Sequence, residues 1–498
     1  MNMTEWVDTH VPDWLSQQRG SKKVAIEYEG EFWTYGQLYE RAGRLAGYLA
    51  SLGAQAGERI ALLARHGLVF ANTVHSIIQL EAILVPLNTR LSATELVWQL
   101  RDAGVHMLIY DSDHRELAQQ VVESLRTSVA AGPIEVELDG VHWNEDELPI
   151  YHEYIVLTAT QSLMYTSGTT GRPKAARISY KNQLWGALGS ALRLGVQPDD
   201  RWLTPLPLFH VGGQSVLLRS VIYGTTAVVH AAFDPVKVNQ ALCEQGVTLV
   251  SVVPVMLSRM LGEQTEPYPN TLRNVLLGGG PAPRPLLDVC IQQHVPVSQS
   301  YGLTEANSQV ATLSIEDSLR KIGSAGRALA FTEVCIMGED GPVDPYQEGE
   351  IVLRGPTVIT GYENNPEADE RAFRNGFFYT GDIGYVDSEG YLYVLDRRAD
   401  MIVSGGENVY PAEVEATLLA HEDIMDAGVF GMPDERFGQL PFAVVKVRLG
   451  VTLDIAELKK FCRKHIAGYK IPRKIVCAAE LPRNASGKLL RRELLKWL

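Results

Sequence analysis

Cysteine is scarce. The chain has five in 498 residues, scattered and with no Cys-x-x-Cys pair. That speaks against a disulfide framework or a structural zinc site and leads us to expect free thiols in a reducing cytoplasm. Long apolar runs are missing too. The greasiest stretch, "FANTVHSIIQLEAILVPL", is broken by Asn72, His75, Gln79 and Glu81, short of the ~18 apolar residues a membrane span needs. The N-terminus is polar and acidic, without the basic and apolar regions of a signal peptide, so none is expected. Basic residues are in deficit: 45 Lys and Arg against 59 Asp and Glu give a net charge of −14. This argues against nucleic-acid binding and against attraction to anionic membranes, though not against a local basic pocket for a small anion. Internal repeats and low-complexity segments are absent.

What remains is ordinary globular composition, 46% hydrophobic and 21% charged, in a chain too long for one core. Residues 34–53 read as an amphipathic helix that Thr34 can cap and Gly53 can stop. "ERIALLA", "AILVPLN" and "HMLIYD" read as strands, with helices in "VFANTVHSIIQLEA" and "SATELVWQLRDAG" between them. The alternation resumes with strands "RWLTPLPL", "TTAVVH" and "TLVSVVP", and with helices over 213–223 and in "PVKVNQALCEQG". Such alternation predicts a wound α/β sheet with parallel strands. From about residue 331, short strands joined by Asp-Gly and Glu-Gly turns predict antiparallel hairpins. Beyond Asp396 comes a compact α+β module of about a hundred residues. The predicted organisation is a large domain over 1–396 and a small one over 397–498, with a boundary near Asp396–Asp400.

The stretch "LMYTSGTTGRPKAARISY" has strand-like ends around a run that cannot be strand between Thr166 and Lys174. Gly168 and Gly171 permit backbone angles closed to other residues, and successive amides in such a turn can converge on an anion. Thr166, Ser167, Thr169 and Thr170 add hydroxyls, and Lys174 adds a mobile charge. These are the parts of a polyphosphate holder, though a run of this kind also reads as a flexible surface loop. It is not a Walker A loop.

The order of "YTSGTTGRPK", "LPLFHVGG", "LLGGGPAP", "YGLTE", "YTGDIGYVDSEGYLYVLDRR", "SGGENVYPAEVE" and "NASGKLLRREL" removes the ambiguity. Together they resemble the superfamily of adenylate-forming enzymes: acyl-CoA synthetases, peptide-synthetase adenylation domains and luciferases. The resemblance covers essentially the whole chain. The wording around "LPLFHVGGQSVLLRSVIYG", "GGGPAPRPLL" and "VLDRRADMIVSGGENVYPAEVE" is most similar to the o-succinylbenzoate–CoA ligase family of menaquinone biosynthesis. Two departures stand out: Ala175 follows Lys174 where glycine is usual, and "ANSQV" follows "YGLTE".

The resemblance implies a carboxylic acid, ATP with Mg²⁺, and coenzyme A as co-substrate. The acid is first joined to AMP with loss of pyrophosphate, then transferred to the CoA thiol. It implies that Thr166, Ser167, Gly168, Thr169, Thr170, Gly171 and Lys174 hold the β- and γ-phosphates. Lys488 would bridge the acid carboxylate and the α-phosphate, Thr304 would contact that phosphate, and Glu305 would hold Mg²⁺ through oxygen. Asp382 would accept the ribose hydroxyls, as a carboxylate with two acceptor oxygens can, and Arg397 would support it. Gly279, Gly280 and Pro281, with Tyr301 and Gly302, would enclose the adenine. His210 would lie by the acid carboxylate. Rotation about Arg398–Asp400 would withdraw Lys488 and bring in Gly405 and Gly406 beside the pantetheine arm. Arg219, the one charge in an apolar helix, is expensive to bury without a partner. It is a candidate for the second carboxylate of o-succinylbenzoate, and snorkelling to solvent or a structural ion pair is the competing reading. Ser324, Gly326 and Arg327 are further pocket candidates. Other aryl or fatty acids, and loading of a carrier protein, stay open as alternatives, as does a homo-oligomer.

Overall fold

The computed structural model describes residues 9–126, 132–139, 148–166, 172–279, 282, 284–396, 402–409, 411–482 and 491–497. Among these, the helices form where the apolar spacing and the caps place them. Helix Tyr35–Ser51 opens on a capping box in which Thr34 and Gln37 satisfy each other's backbone amides, and it buries Leu38, Ala42, Leu45 and Leu49. Helix Ala93–Ala103 repeats the device with Ser92 and Glu95 and stops at Gly104, whose φ is 62°.

Two mainly parallel sheets form the large N-terminal domain. One has six strands in the order Lys174–Ser179, Thr160–Thr166, Ile83–Pro86, Arg59–Leu63, Met107–Tyr110, Ile134–Glu137. The other has nine, with Val297–Tyr301, Asn274–Leu277, Leu249–Val252, Arg201–Thr204 and Thr226–Val229 as its parallel heart. Their central strands are buried almost throughout and carry continuous apolar runs, as strands covered on both faces must. One junction could not be read locally. The hairpin Val24–Tyr28 and Glu31–Thr34 joins the edge of the nine-stranded sheet, pairing in parallel with Thr226–Val229, two hundred residues on.

The region after residue 331 is antiparallel as expected: Glu333–Met337, Gly349–Arg354 and Phe377–Val386 pair in sequence, and Leu392–Asp396 adds to the last. The small C-terminal domain sets Ile402–Ser404, Glu407–Val409, Ile424–Asp434, Gly438–Val447 and Lys474–Cys477 in one sheet, with helices Pro411–Leu419 and Ile455–Arg463 against it. Strand Lys474–Cys477 is parallel to its neighbour. Gly405 and Gly406 form the turn between the first two strands, with φ of 61° and 87°. Positive φ at both positions is what a two-residue hairpin turn demands.

The glycine-rich stretch is corrected at its ends. Thr166 closes one strand and Lys174 opens the next, and the two are directly paired. Ladder hydrogen bonds carry the regular backbone right up to residues 167–173. Of these, Ser167, Gly168, Thr169, Thr170 and Gly171 lie outside the described residues, as do Gly280, Pro281, Arg397, the Arg398–Asp400 segment and Lys488.

Candidate active site

A cavity of about 610 Å³ opens at the carboxyl ends of the parallel strands of the nine-stranded sheet, where ligand sites of α/β sheets form. Gly278 and Gly279 follow one of these strands, and Gly302, Thr304 and Glu305 follow the next. Thr166 and Lys174 reach in from the paired ends of the six-stranded sheet. Asp382 comes from the antiparallel strand Phe377–Val386, and His210 caps helix Val211–Tyr223. Gly406, Glu407 and Tyr469 close it from the C-terminal domain. Nine residues singled out from sequence thus share one cavity: Thr166, Lys174, His210, Gly279, Gly302, Thr304, Glu305, Asp382 and Gly406; Gly405 lies beside it in the same turn as Gly406. Gly302 has no substitute, since a Cβ there would lie 1.5 Å from the Ser308 carbonyl oxygen.

Glu305 is held by one oxygen. Its Oε1 accepts the Tyr362 hydroxyl at 2.9 Å and the Thr166 hydroxyl at 3.3 Å. The Tyr362 ring also carries the Lys174 ammonium 5.1 Å from its centroid, within cation–π range. The described residues include no cluster of three or more metal-ligating side chains. That donor set fits Mg²⁺ bound with a phosphorylated ligand, because Mg²⁺ keeps several waters and takes one or two carboxylates plus phosphate oxygens.

Tyr301 is buried, and its hydroxyl donates to Asp382 Oδ2 at 2.7 Å.

Across the cavity, Glu407 is 2% exposed, with Oε2 3.1 Å from His210 Nε2 and Oε1 2.9 Å from Arg90. Burial alone would push the Glu407 carboxyl up. The charges of His210, Arg90 and Lys470 overturn this and hold it below the ordinary carboxylate value. His66, half-buried beside Phe209, is lowered to about 4, mainly by desolvation.

Arg219 lies in helix Val211–Tyr223 and is 2% exposed. It bonds the amide oxygen of Gln309 and, at 3.4 Å, the Ser190 hydroxyl, while its second terminal nitrogen is buried without a hydrogen-bond partner. Burial lowers its pKa. No ion pair joins it to a carboxylate among the described residues, so the structural ion-pair reading loses its support. Gln309 itself lines the cavity. Ser324, Gly326 and Arg327 do not line it. Ser324 donates to the Leu392 carbonyl and accepts the Gly326 amide, Gly326 packs on the backbone of Thr312, and Arg327 is exposed over Tyr391. Their contacts brace the crossing between two sheets, which the short motif "GSAGRAL" could not disclose.

Sequence reasoning missed Arg90, Tyr362, Gln309 and Glu407. Glu407 stood inside "SGGENVY", where a charge between a glycine turn and an apolar residue was a signal. Gln309 stood in "ANSQV", already marked as a departure. Arg90 and Tyr362 carry no local signal.

A family model described as AMP-binding enzyme matches residues 13–363, and one described as AMP-binding enzyme C-terminal domain matches residues 413–488. A 2-succinylbenzoate–CoA ligase from Geobacillus sp. (strain WCH70) is 44% identical over 492 residues, covering 98% of each chain. The chain belongs to the AMP-binding enzymes, in the 2-succinylbenzoate–CoA ligase family. Two solved structures of o-succinylbenzoate CoA synthetase from Bacillus subtilis resemble it to different degrees. A double mutant bound with its product analogue OSB-NCoA gives a TM-score of 0.92 at 40% identity, covering 98% of this chain and 99% of that one. The complex with ATP and magnesium ion gives 0.75 at 41% identity, covering 98% and 100%. Identity and coverage are closely matched between the two, and the product-analogue complex gives the higher score.

Proposed function

We propose that this chain is an acid–thiol ligase that adenylates o-succinylbenzoate with ATP and transfers the acyl group to coenzyme A in menaquinone biosynthesis. The observation that carries this is the single cavity shared by the predicted nucleotide residues and the C-terminal Gly405–Glu407 turn. It sits in a chain alike, end to end, to 2-succinylbenzoate–CoA ligases.

In the first half-reaction a carboxylate oxygen bonds to the α-phosphorus and the bond to the β-phosphate oxygen breaks, releasing pyrophosphate. Reacting anions need positioning and charge neutralisation more than covalent help. Lys174, with the Thr166–Gly171 loop, holds the β- and γ-phosphates, and Thr304 contacts the α-phosphate. Lys488 bridges acid and phosphate. Asp382, backed by Tyr301, takes the ribose hydroxyls with Arg397, and Gly279, Gly280, Pro281 and Gly302 line the base. Glu305 holds Mg²⁺, which neutralises phosphate charge when bound. Arg219, through its pairing with Gln309 at the cavity wall, receives the second carboxylate of the acid.

In the second half-reaction the CoA sulfur bonds to the acyl carbon, the bond to the phosphate oxygen breaks, AMP leaves, and the thiol proton is given up. The domain boundary falls at 396/397, and rotation about Arg398–Asp400 exchanges Lys488 for the Gly405–Gly406 turn. The arrangement described here serves this second step. Glu407 fixes His210 against the wall, and the turn presents bare backbone where the pantetheine arm enters. No helix among the described residues is long and apolar enough to cross a membrane, and all five cysteines are unpaired thiols, which fits work in the cytoplasm.

The test is thioester formation across a panel of acids: o-succinylbenzoate, benzoates, and short and long fatty acids. CoA-dependent AMP release with o-succinylbenzoate alone supports the assignment. Activity with other acids only would overturn the substrate and keep the mechanism.

A further inference from the structure

Lys470 sits where the two domains meet and is only 4% exposed, a state lysine almost never adopts unpaired. Its ammonium lies 2.7 Å from Glu413 Oε1 and 2.9 Å from Glu95 Oε1. Glu413 belongs to helix Pro411–Leu419 of the C-terminal domain, and Glu95 to helix Ala93–Ala103 of the N-terminal domain. Both carboxylates are largely shielded from solvent. Burial alone would push the Lys470 ammonium to lose its proton, and the two carboxylates overturn that and keep it charged.

Glu95 is pinned independently of Lys470. Its second oxygen accepts the Ser92 amide at 2.9 Å and closes the capping box of its own helix. The seam continues on both sides: Asn88 donates to the Tyr469 hydroxyl at 3.3 Å, and the Thr94 hydroxyl donates to the Lys464 carbonyl at 3.0 Å. Glu413 Oε2 is buried with no hydrogen-bond partner. The cluster sets one ammonium between two carboxylates: removing Lys470 leaves buried carboxylate charge uncompensated, a strongly destabilising event, whereas removing the Glu95 charge leaves Lys470 paired with Glu413 and takes away only the bridge between the domains.

Lys470 and Glu413 belong to one domain and Glu95 to the other, so a rotation of the C-terminal domain would carry the first two together and part them from the third. We infer that Lys470 is a positioning residue that seats the C-terminal domain for thioester formation by joining Glu413 of its own domain to Glu95 of the other. The inference rests on the two-step reaction proposed above, and it assigns Lys470 no part in adenylation.

The experiment uses the full-length enzyme and three variants: Glu95→Gln, which keeps an amide oxygen for the cap and removes the charge, Lys470→Met, and the double variant. Pyrophosphate release without CoA reports adenylation, and thioester formation from supplied o-succinylbenzoyl-adenylate reports the second step. The expected result is a loss of about tenfold or more in the second step for each single variant, with adenylation within about twofold of wild type. The double variant should be little worse than either single one, because the two residues act through one contact. Equal losses in both steps would make the cluster a fold element only. Additive losses, or an unimpaired second step in Glu95→Gln, would also overturn the seat. Failure of the wild-type enzyme itself to make thioester would instead overturn the two-step reading.

Discussion

The imidazole of His210 and the carboxylate of Glu407 lie 3.1 Å apart, although 197 residues separate them in the chain and they come from different domains. Glu407 also holds Arg90 of the N-terminal domain. A buried carboxylate of the C-terminal domain thus has two partners in the other. Glu407→Gln should lower thioester formation from supplied adenylate by roughly tenfold or more, as breaking a buried pair does. Adenylation should stay within about twofold. Rapid-quench assays of the two steps check this, and equal losses would contradict it.

The same carboxylate sets a pH dependence whose sign is defined. Docking holds Glu407 below its ordinary value of 4.5 because the surrounding cations outweigh burial. A depressed carboxyl favours docking once ionised, so its contribution is complete above the ordinary value and fades as pH falls through the depressed one. The ratio of second-step rates, wild type over Glu407→Gln, should shrink in acid as pH falls below about 4.5. A ratio that holds unchanged into that acid range would show that Glu407 is not held in this way.

Arg219→Met separates substrate binding from architecture. The buried guanidinium has two hydrogen-bond partners and no carboxylate among the described residues. Removing its desolvation penalty offsets the bonds lost by Gln309 and Ser190, and stability should stay within about 1 kcal/mol. The KM for o-succinylbenzoate should rise about tenfold or more, the scale of a charge-assisted hydrogen bond, while the KM for ATP hardly moves. Thermal unfolding with steady-state kinetics decides. A large fall in Tm with an unchanged KM would return Arg219 to the fold.

Tyr301→Phe deletes the hydroxyl that donates to Asp382. Asp382 should then hold the ribose less well, and the KM for ATP should rise about fivefold, in line with one hydrogen bond to a charged group. The KM for CoA should not follow. A rise in the KM for CoA alone would refute the pairing of Tyr301 with the nucleotide.

The strands and helices of the wound sheets were legible because their signals are local: the apolar period, and Thr34 as a cap. Gly302 was legible as a special position because close approach of backbone restricts residue type: a Cβ there would meet the Ser308 carbonyl oxygen. What escaped was long-range. The edge hairpin Val24–Tyr28 and Glu31–Thr34 pairs with a strand two hundred residues away, and no local pattern encodes that register. The bond from the Tyr301 hydroxyl to Asp382 joins two different sheets and has no local signal. Arg90, Glu407 and Lys470 acquire meaning only when two domains meet.

The central claim is two-step chemistry on one acid in one cavity. It is tested most directly by mixing enzyme, ATP, Mg²⁺ and labelled o-succinylbenzoate without CoA, then chasing with CoA under single-turnover conditions. The account expects about one acyl-adenylate per active site before the chase and its conversion to thioester and AMP after it. No adenylate, or an adenylate that CoA leaves untouched, would contradict it.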